Sequence, residues 1–224
     1  MKLVIKFIAS TLAGLVFFGA VLFIPAGTVH YWQGWAYLVV FMITTLGPSV
    51  YLAVTDPATL QRRLHAGPTA ETRPTQRLVA VGYTVASGAC LIVSALDHRF
   101  GWSTVPTAVT IAGLVLVAVG LSAAQVVILQ NRYAAANITV EADQPLVSTG
   151  LYAWVRHPMY SAVTVMMIGT PPALGSWWGL LVLIPMLAVL AVRILDEEAL
   201  LTDRLPGYRE YRTRVRHRLV PYLW

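Results

Sequence analysis

"HPMYSAVTVMMIGTPPALGSWWGLLVLIPMLAVLAV", residues 157–192, is a run of 36 residues that contains no Asp, Glu, Lys or Arg. A single helix of this length would be about 54 Å long, whereas the hydrocarbon core of a bilayer is about 30 Å thick. The stretch "PPALGSWWG" (171–179) provides prolines and glycines at which the chain can fold back. The run therefore predicts a membrane-embedded hairpin with helical arms near 158–172 and 178–198, the first of which is short for a complete crossing.

The rest of the chain has the same apolar character. Of its 224 residues, 57% are hydrophobic and only 12% are charged, which is outside the usual range of a soluble domain. Its mean hydropathy is +0.67. Further uncharged stretches are long enough to cross a bilayer, and they predict helices near 4–24, 32–54, 78–96 and 104–130. The sequence thus predicts an all-α, polytopic membrane protein with about six hydrophobic helical segments, of which the last two form the hairpin.

Two polar segments have recognisable patterns. Residues 55–77 include three prolines, which allow at most one short helix after Asp56-Pro57. Near the C-terminus, apolar residues recur every three or four positions while arginines occupy another face, which predicts a cytoplasmic interfacial helix. Its apolar positions are Tyr208, Tyr211, Val215 and Leu219. We interpret the basic tail as attracted to anionic lipid rather than to nucleic acid.

The distribution of charge predicts the orientation in the membrane. Of the 16 Lys and Arg residues, all but Arg99 fall on the side that both chain termini share. The positive-inside rule therefore predicts that the N- and C-termini are cytoplasmic. At the opposite interface we expect a belt of aromatic side chains, formed by Trp32, Trp35, Tyr37, Trp102, Trp177 and Trp178.

Motifs of soluble cofactor and metal sites do not occur. The sequence has no G-x-G-x-x-G after a strand, no P-loop and no H-E-x-x-H. Its histidines are scattered and Cys90, the single cysteine, lies in an apolar span. We therefore predict no metal site, and we interpret Cys90 as a small buried apolar side chain.

The predicted hairpin brings distant polar residues to one depth. If its turn is centred near Trp177, Tyr160 lies 17 residues before the turn and Arg193 lies 16 residues after it. The two residues then share one depth, and Glu197, one helical turn beyond Arg193, lies near the depth of His157. Because an arginine and carboxylates at membrane depth are costly, this arrangement predicts a functional pocket.

The residue types indicate the ligand that such a pocket would suit. Pro158 fits the first position of a helix, whose free N–H groups attract a carboxylate. Glu197 or Glu198 could hold an amine or ribose hydroxyls, and Tyr152 and Tyr160 offer flat surfaces and hydroxyl groups. A small zwitterionic or nucleoside ligand fits these demands, together with an apolar partner that arrives from the lipid.

Two stretches carry a resemblance to a known family. "GLYAWVRHPMYSAV" (150–163) and "RILDEEALLTDRLPGYREYRTRVRHRLVP" (193–221) resemble integral-membrane methyltransferases, a group that includes isoprenylcysteine carboxyl methyltransferases and phospholipid N-methyltransferases. The similarity covers about residues 131–224, and "DPATLQRR" (56–63) is similar to bacterial members. R-H-P-x-Y alone is a weak signal, but its combination with R-x-x-x-E-E and G-Y-x-x-Y is specific.

The resemblance implies S-adenosylmethionine as the methyl donor. It implies cofactor contacts from Gln144, Pro145, Leu146, Val147, Tyr152, His157, Pro158, Tyr160 and Glu197. Arg193 matches the family arginine that faces the acceptor and would orient an anionic group. As a hypothesis, Glu198 would receive the proton of an amine acceptor. These two residues are the predicted catalytic residues. Gln144 stands where prenylcysteine enzymes have His, so the resemblance does not define the acceptor.

The prediction is a membrane-embedded enzyme that methylates a carboxylate, amine or hydroxyl of an isoprenoid or lipid at the cytoplasmic leaflet. Residues 1–130 would form a four-helix transmembrane part and residues 131–224 the cofactor-binding catalytic part of one structural unit. The expected partners are a lipophilic substrate from the bilayer and membrane lipids, without nucleic acid or an obligate protein partner.

Two alternative functions remain open at this point. One is an NADPH-dependent membrane reductase of a sterol-like or enone-like lipid, because some of these enzymes share an H-P-x-Y element before a helical hairpin. The other is a non-catalytic transport or lipid-binding protein. Binding of S-adenosylmethionine or of NADPH would discriminate among the three.

Overall fold

A computed structural model describes residues 2–64, 73–133 and 144–224 of the chain. This part of the chain is helical throughout its regular structure. One 3-10 turn, Gly150–Ala153, precedes the hairpin. The α-helices are α1 (Lys2–Ala26), α2 (Trp32–Thr55), α3 (Pro57–Leu64), α4 (Pro74–Phe100), α5 (Thr107–Gln130), α6 (Pro158–Ala173), α7 (Gly179–Arg204) and α8 (Tyr208–Arg214).

Each predicted hydrophobic segment coincides with a helix. Within the described residues, α1, α2, α4, α5 and α7 are long and apolar enough to cross a membrane. Helix α6 has only 16 residues, or about 24 Å of helix, which confirms the prediction of a short first arm. The short helix after Asp56-Pro57 is also confirmed, as α3. The all-α, polytopic architecture therefore follows the sequence pattern.

Helix α6 is held against α5 by close backbone contact. A Cβ atom added to Gly120 of α5 would lie 2.6 Å from the carbonyl oxygen of Ala162, and one added to Gly169 of α6 would lie 2.7 Å from the carbonyl oxygen of Gly113. Small residues allow membrane helices to approach this closely, and the approach increases van der Waals contact. This packing fixes the position of α6, whose first turn carries the candidate site.

Helix α7 packs against α4 as well as α6. Between them lies a buried cluster formed by Cys90, Met167, Leu183 and Met186. The thiol side chain of Cys90 is 3% exposed, and its sulfur lies 3.8 Å from the carbonyl oxygen of Gly179. The interpretation of Cys90 as a small buried side chain is confirmed.

The turns opposite the chain termini are tied together by Asp97 at the end of α4. Its carboxylate accepts hydrogen bonds from the hydroxyl of Ser103, at 2.6 Å, and from the hydroxyl of Ser176, at 2.6 Å. The hydroxyl of Tyr31 donates to the carbonyl oxygen of Leu174 at 2.6 Å. These bonds join the α1–α2 and α4–α5 turns to the hairpin turn, so the depth of both hairpin arms is fixed at that end.

Most of the expected aromatic belt is exposed at this end of the bundle. Trp32, Trp35, Trp102, Trp177 and Trp178 are all classed as exposed. The expectation for Tyr37 was wrong, because its side chain is buried in the core cluster with Leu38 and Leu91. Tyr37 lies more than one turn inside α2, on the buried face of the helix.

The C-terminal helix is confirmed but is shorter than the spacing of its apolar residues indicated. Helix α8 ends at Arg214, so Leu219 lies beyond it. Tyr208, Tyr211 and Val215 are buried together with Leu205. The apolar face of α8 is therefore covered by the protein itself.

Candidate functional site

The hydroxyl of Tyr160 joins two charged side chains of α7. It donates a hydrogen bond to Oε2 of Glu197 at 2.5 Å and accepts one from Nε of Arg193 at 2.8 Å. The guanidinium carbon of Arg193 also lies 5.9 Å from the centroid of the Tyr160 ring. The structure thus brings together, at the start of α6, three residues that the hairpin geometry predicted at one depth.

Helix geometry explains how these residues meet. Pro158 occupies the first position of α6, where its missing N–H is harmless, so Tyr160 lies in the first turn. Arg193 and Glu197 are four residues apart in α7 and therefore lie on one face. Since α7 continues to Arg204, both residues reach the level of the first turn of α6.

His157 lies beside this group but bonds to the neighbouring carboxylate. Its ring stacks near that of Tyr160, with centroids 5.5 Å apart. Its Nε2 lies 3.2 Å from Oε1 of Glu198. The sequence predicted Glu197 near the depth of His157, and the structure divides the two glutamates between Tyr160 and His157.

Glu198 is the centre of a buried ionic group. Its side chain is 4% exposed and lies 2.6 Å from Nε of Arg156 and 3.0 Å from Nε of Arg218. A buried carboxylate is tolerated where cations and hydrogen bonds compensate its lost hydration. Glu198 therefore links Arg156, in the loop before α6, to the C-terminal segment.

The C-terminal segment is bonded to the start of α6. The backbone N–H of Arg156 donates to the carbonyl oxygen of His217 at 2.9 Å. The backbone N–H of His157 donates to the carbonyl oxygen of Arg218 at 3.0 Å. The hydroxyl of Ser161 donates to the carbonyl oxygen of Leu219 at 2.6 Å. The tail thereby holds the loop that leads into the site.

Arg156 contributes side-chain bonds to the same attachment. It is 7% exposed, and its Nη1 donates to the carbonyl oxygens of Val215, at 2.9 Å, and Arg216, at 2.8 Å. Sequence analysis did not find this role. The only indication in the sequence was that an arginine stands directly before His157. The role could not be predicted from it, because the carbonyl partners lie about 60 residues away and have no sequence pattern.

Tyr152 lies on the 3-10 turn that leads to the site. Its hydroxyl accepts a hydrogen bond from Nδ2 of Asn131 at 3.1 Å, and its carbonyl oxygen accepts one from the hydroxyl of Tyr211 at 2.7 Å. Burial, together with the negative charge of Glu197, raises the pKa of Tyr152 to about 12. Tyr152 is therefore a neutral phenol at physiological pH.

The segment Gln144–Val147 lies near α8 and the end of α7. Leu146 packs against the cluster formed by Leu205, Tyr208, Tyr211 and Val215. Gln144 and Val147 are half-buried and Pro145 is exposed. The structure thus places Leu146 against α8 and the end of α7, and the predicted cofactor contacts of these four residues stay predictions.

The first turn of α6 has no side-chain cap. His157 is the N-cap residue and makes no capping hydrogen bond with its side chain. The first amide groups of a helix have no intrahelical acceptor, and the helix dipole favours negative charge there. This end of α6, with Pro158 at its first position, is therefore suited to an anionic group.

Helix α4 contributes residues that sequence analysis missed. The side-chain oxygen of Gln76 accepts a hydrogen bond from Nη1 of Arg193 at 3.1 Å, and its side-chain nitrogen donates to Oδ2 of Asp196. Asp196 also forms an ion pair with Arg73 at 2.8 Å. No periodic pattern predicts these contacts, because they depend on the rotation of α4 against α7.

The site is built from hydrogen-bonding and ionic groups rather than from metal ligands. Among the residues described, no group of three or more His, Cys, Asp or Glu side chains is arranged to hold a metal ion. The two carboxylates differ in their surroundings. Glu197 accepts a bond from the hydroxyl of Tyr160, whereas Glu198 is paired with two arginines.

Comparison with known families agrees with the resemblance noted in the sequence. Residues 108–207 match the model of the phospholipid methyltransferase family. The match begins in α5 and includes Tyr160, Arg193 and Glu197, whereas Gln76 lies outside it. No curated protein matches the chain. Residues 108–207 are therefore similar to the phospholipid methyltransferase family, one of the integral-membrane methyltransferases.

Proposed function

We propose that the protein transfers a methyl group from S-adenosylmethionine to a carboxylate, amine or hydroxyl of an isoprenoid or lipid at the cytoplasmic leaflet. The family match supports a membrane methyltransferase that acts on lipid. The observation that carries the finer proposal is the hydroxyl of Tyr160, which joins Glu197 and Arg193 beside the uncapped start of α6.

The residues of the site suit the chemical groups of S-adenosylmethionine. The cofactor has an ammonium group, a carboxylate, a ribose diol and an aromatic base. Glu197 can accept hydrogen bonds from an ammonium group or from ribose hydroxyls. The first turn of α6, from Pro158, suits a carboxylate. The stacked rings of His157 and Tyr160, with Tyr152, provide aromatic surface and hydroxyl groups.

The cofactor, when bound, supplies a methyl group activated by a sulfonium. The chain has to hold the acceptor in line with that methyl group and exclude water, because positioning provides most of the acceleration in such a reaction. Arg193 is suited to orient an anionic acceptor, since its guanidinium is fixed by Tyr160 and Gln76.

We assign Glu198 a positioning role in this proposal. Its burial and its pairing with Arg156 and Arg218 make it a poor acceptor for a substrate proton. Through His157 it instead holds one of the rings proposed to contact the cofactor. For an amine acceptor, Glu197 is the carboxylate better placed to take the proton, because it is bonded to the hydroxyl of Tyr160, whereas Glu198 is paired with two arginines.

The apolar helices and the family support an integral membrane protein. The proposed arrangement has the acceptor enter from the bilayer, with both termini cytoplasmic and no nucleic acid or obligate protein partner. The basic character of the C-terminal tail supports that orientation. Gln144 differs from the His of prenylcysteine enzymes, and the family match names no acceptor for this chain. The labelling experiment below therefore identifies the acceptor.

The test is methyl transfer from radiolabelled S-adenosylmethionine to a membrane lipid extract by the purified protein. A labelled lipid product is expected from the wild type, and its rate should fall at least about tenfold in Glu197→Gln. Glu210→Gln is the matched control, because Glu210 is an exposed glutamate on α8. It should retain the activity of the wild type.

Calorimetric titration with each cofactor separates the proposal from its alternatives. Heat release with S-adenosylmethionine, weakened in Glu197→Gln, supports the proposal. Heat release with NADPH and none with S-adenosylmethionine would indicate the reductase instead. Binding of neither cofactor would favour the transport or lipid-binding alternative.

A further inference from the structure

Gln76 in the first turn of α4 occupies an unusual environment for an uncharged polar side chain. It is completely buried, at 0% exposed. Its side-chain oxygen lies 3.1 Å from Nη1 of Arg193, and its side-chain nitrogen bonds to Asp196, three residues further along α7. One amide group therefore contacts two oppositely charged residues on one face of α7.

The chemistry of the two neighbours determines how the amide is turned. A carboxylate only accepts hydrogen bonds and a guanidinium only donates them. The amide nitrogen of Gln76 must therefore face Asp196, and its oxygen must face Arg193. Asp196 is itself held by Nη2 of Arg73 at 2.9 Å. Hence Asp196 fixes the amide nitrogen on one side, and the amide oxygen is presented to Arg193 on the other.

The bonds continue from Arg193 into the proposed site. Its Nε donates to the hydroxyl of Tyr160 at 2.8 Å, and that hydroxyl donates to Glu197 at 2.5 Å. Donors and acceptors alternate along the whole line from Arg73 to Glu197. A guanidinium held at two of its nitrogens has little freedom to rotate, which is the condition for precise placement of a substrate group.

We propose that Gln76 is a positioning residue that orients Arg193 toward the methyl acceptor without neutralising its charge. This inference rests on the function proposed above. A glutamate at this position would reach the same atom of Arg193, but it would form an ion pair and cancel the positive charge. It would also place two carboxylates together, one at position 76 and one at Asp196, where like charges repel. A neutral amide avoids both effects.

The contact with Arg193 is tested first by unfolding, which requires no ligand. Gln76→Met preserves the length of the side chain and removes both hydrogen bonds. It should lower the melting temperature in the wild-type background, and by clearly less in an Arg193→Met background, because the partner is already absent. Equal lowering in the two backgrounds would overturn the proposal.

Ser94→Ala provides the control for this cycle. Ser94 is also completely buried on α4, but its hydroxyl bonds to the carbonyl oxygen of Cys90 within the same helix, at 2.8 Å. Its effect on the melting temperature should be the same in the wild-type and Arg193→Met backgrounds.

Kinetics distinguish positioning from stability alone. With radiolabelled S-adenosylmethionine and the lipid extract, Gln76→Met should lower kcat at least about tenfold, while the dissociation constant for S-adenosylmethionine changes less than about twofold. Gln76→Glu should also lose turnover, although it keeps the shape of the side chain. Wild-type kcat in folded Gln76→Met would overturn the positioning role.

The two proposals fail in different ways. A wild-type protein that neither binds S-adenosylmethionine nor methylates lipid would refute the proposed function. It would also refute the role of Gln76 toward an acceptor, whatever coupling the unfolding cycle measures. If the wild-type protein methylates lipid but the unfolding cycle shows no coupling between Gln76 and Arg193, the proposed function stands. Only the inference about Gln76 is then refuted.

Discussion

Nε of Arg156 lies 2.6 Å from Oε1 of Glu198, and the two side chains are 5% and 4% exposed. The other carboxylate oxygen of Glu198 lies 3.0 Å from Nε of Arg218. The loop before α6, helix α7 and the C-terminal segment therefore meet at one buried carboxylate. Loss of that carboxylate would leave two guanidinium groups in the protein without their counter-charge.

We predict that Glu198→Gln destabilises the protein by about 3–5 kcal/mol, because removal of one member of a buried ionic group exposes the cost of burying the others. The measurement is thermal unfolding in detergent or lipid nanodiscs. Asp203→Asn is the control, since the Asp203 side chain is 77% exposed and lies 3.9 Å from Arg204. It should change stability by less than about 0.5 kcal/mol. Similar shifts for both variants would contradict the buried role of Glu198.

The hydroxyl of Ser161 is predicted to hold the C-terminal segment on α6. Ser161→Ala removes its hydrogen bond to the carbonyl oxygen of Leu219 and should cost about 1 kcal/mol. Because the backbone amides of Arg156 and His157 donate to the same segment, their hydrogen exchange should become faster.

Thr164→Ala is the matched control for this prediction. The hydroxyl of Thr164 bonds to the carbonyl oxygen of Tyr160 within α6, at 2.8 Å. Its removal should leave exchange at Arg156 and His157 unchanged. Unchanged exchange in Ser161→Ala as well would show that the hydroxyl does not hold the tail.

The close contact between α5 and α6 predicts that alanine substitutions at two glycines change the stability of the protein in opposite directions. In Gly120→Ala the new Cβ would lie 2.6 Å from the carbonyl oxygen of Ala162, which is backbone and cannot rotate away. This overpacking should destabilise the protein by about 1–3 kcal/mol. In Gly88→Ala the new Cβ has open space, and the better helix propensity of alanine should stabilise α4 by up to about 1 kcal/mol.

Unfolding of the two glycine variants under identical conditions checks this prediction. If Gly120→Ala and Gly88→Ala are equally stable, α5 and α6 can move apart slightly without a loss of free energy. In that case the backbone contact would not be what fixes the short helix α6.

The parts of the site that were predictable follow from counting residues along one helix pair. The turn at 171–179 and a constant rise per residue are enough to bring Tyr160 and Arg193 to the same level. The short length of α6 also follows, because the distance from Pro158 to the turn is fixed by the sequence.

The remaining contacts depend on helix rotation and lateral packing. Glu197 and Glu198 are adjacent, so they point about 100° apart around α7. Which of them meets Tyr160 depends on how α7 is rotated against α6. Gln76 meets Arg193 only because α4 packs beside α7, and the apolar faces of both helices are too uniform to predict that neighbour.

Tyr160→Phe tests the hydroxyl that joins the two charged residues of the site. The substitution keeps the ring and its stacking with His157 but removes the bonds to Glu197 and Arg193. Because both side chains lose the group that separates and orients them, methyl transfer should fall about 100-fold. Stability should fall by only about 1–2 kcal/mol. The measurements are turnover with radiolabelled S-adenosylmethionine and thermal unfolding on the same preparation.

Tyr208→Phe is the control for that experiment, because Tyr208 is a buried tyrosine with a different environment. Within the part of the chain that the structure describes, the buried hydroxyl of Tyr208 has no hydrogen-bond partner. Its removal should therefore leave turnover unchanged and should not reduce stability, since no bond is lost and an unsatisfied polar group is removed. Full turnover in Tyr160→Phe would exclude the hydroxyl from the reaction, and the orientation of Arg193 would then depend on Gln76 without the tyrosine.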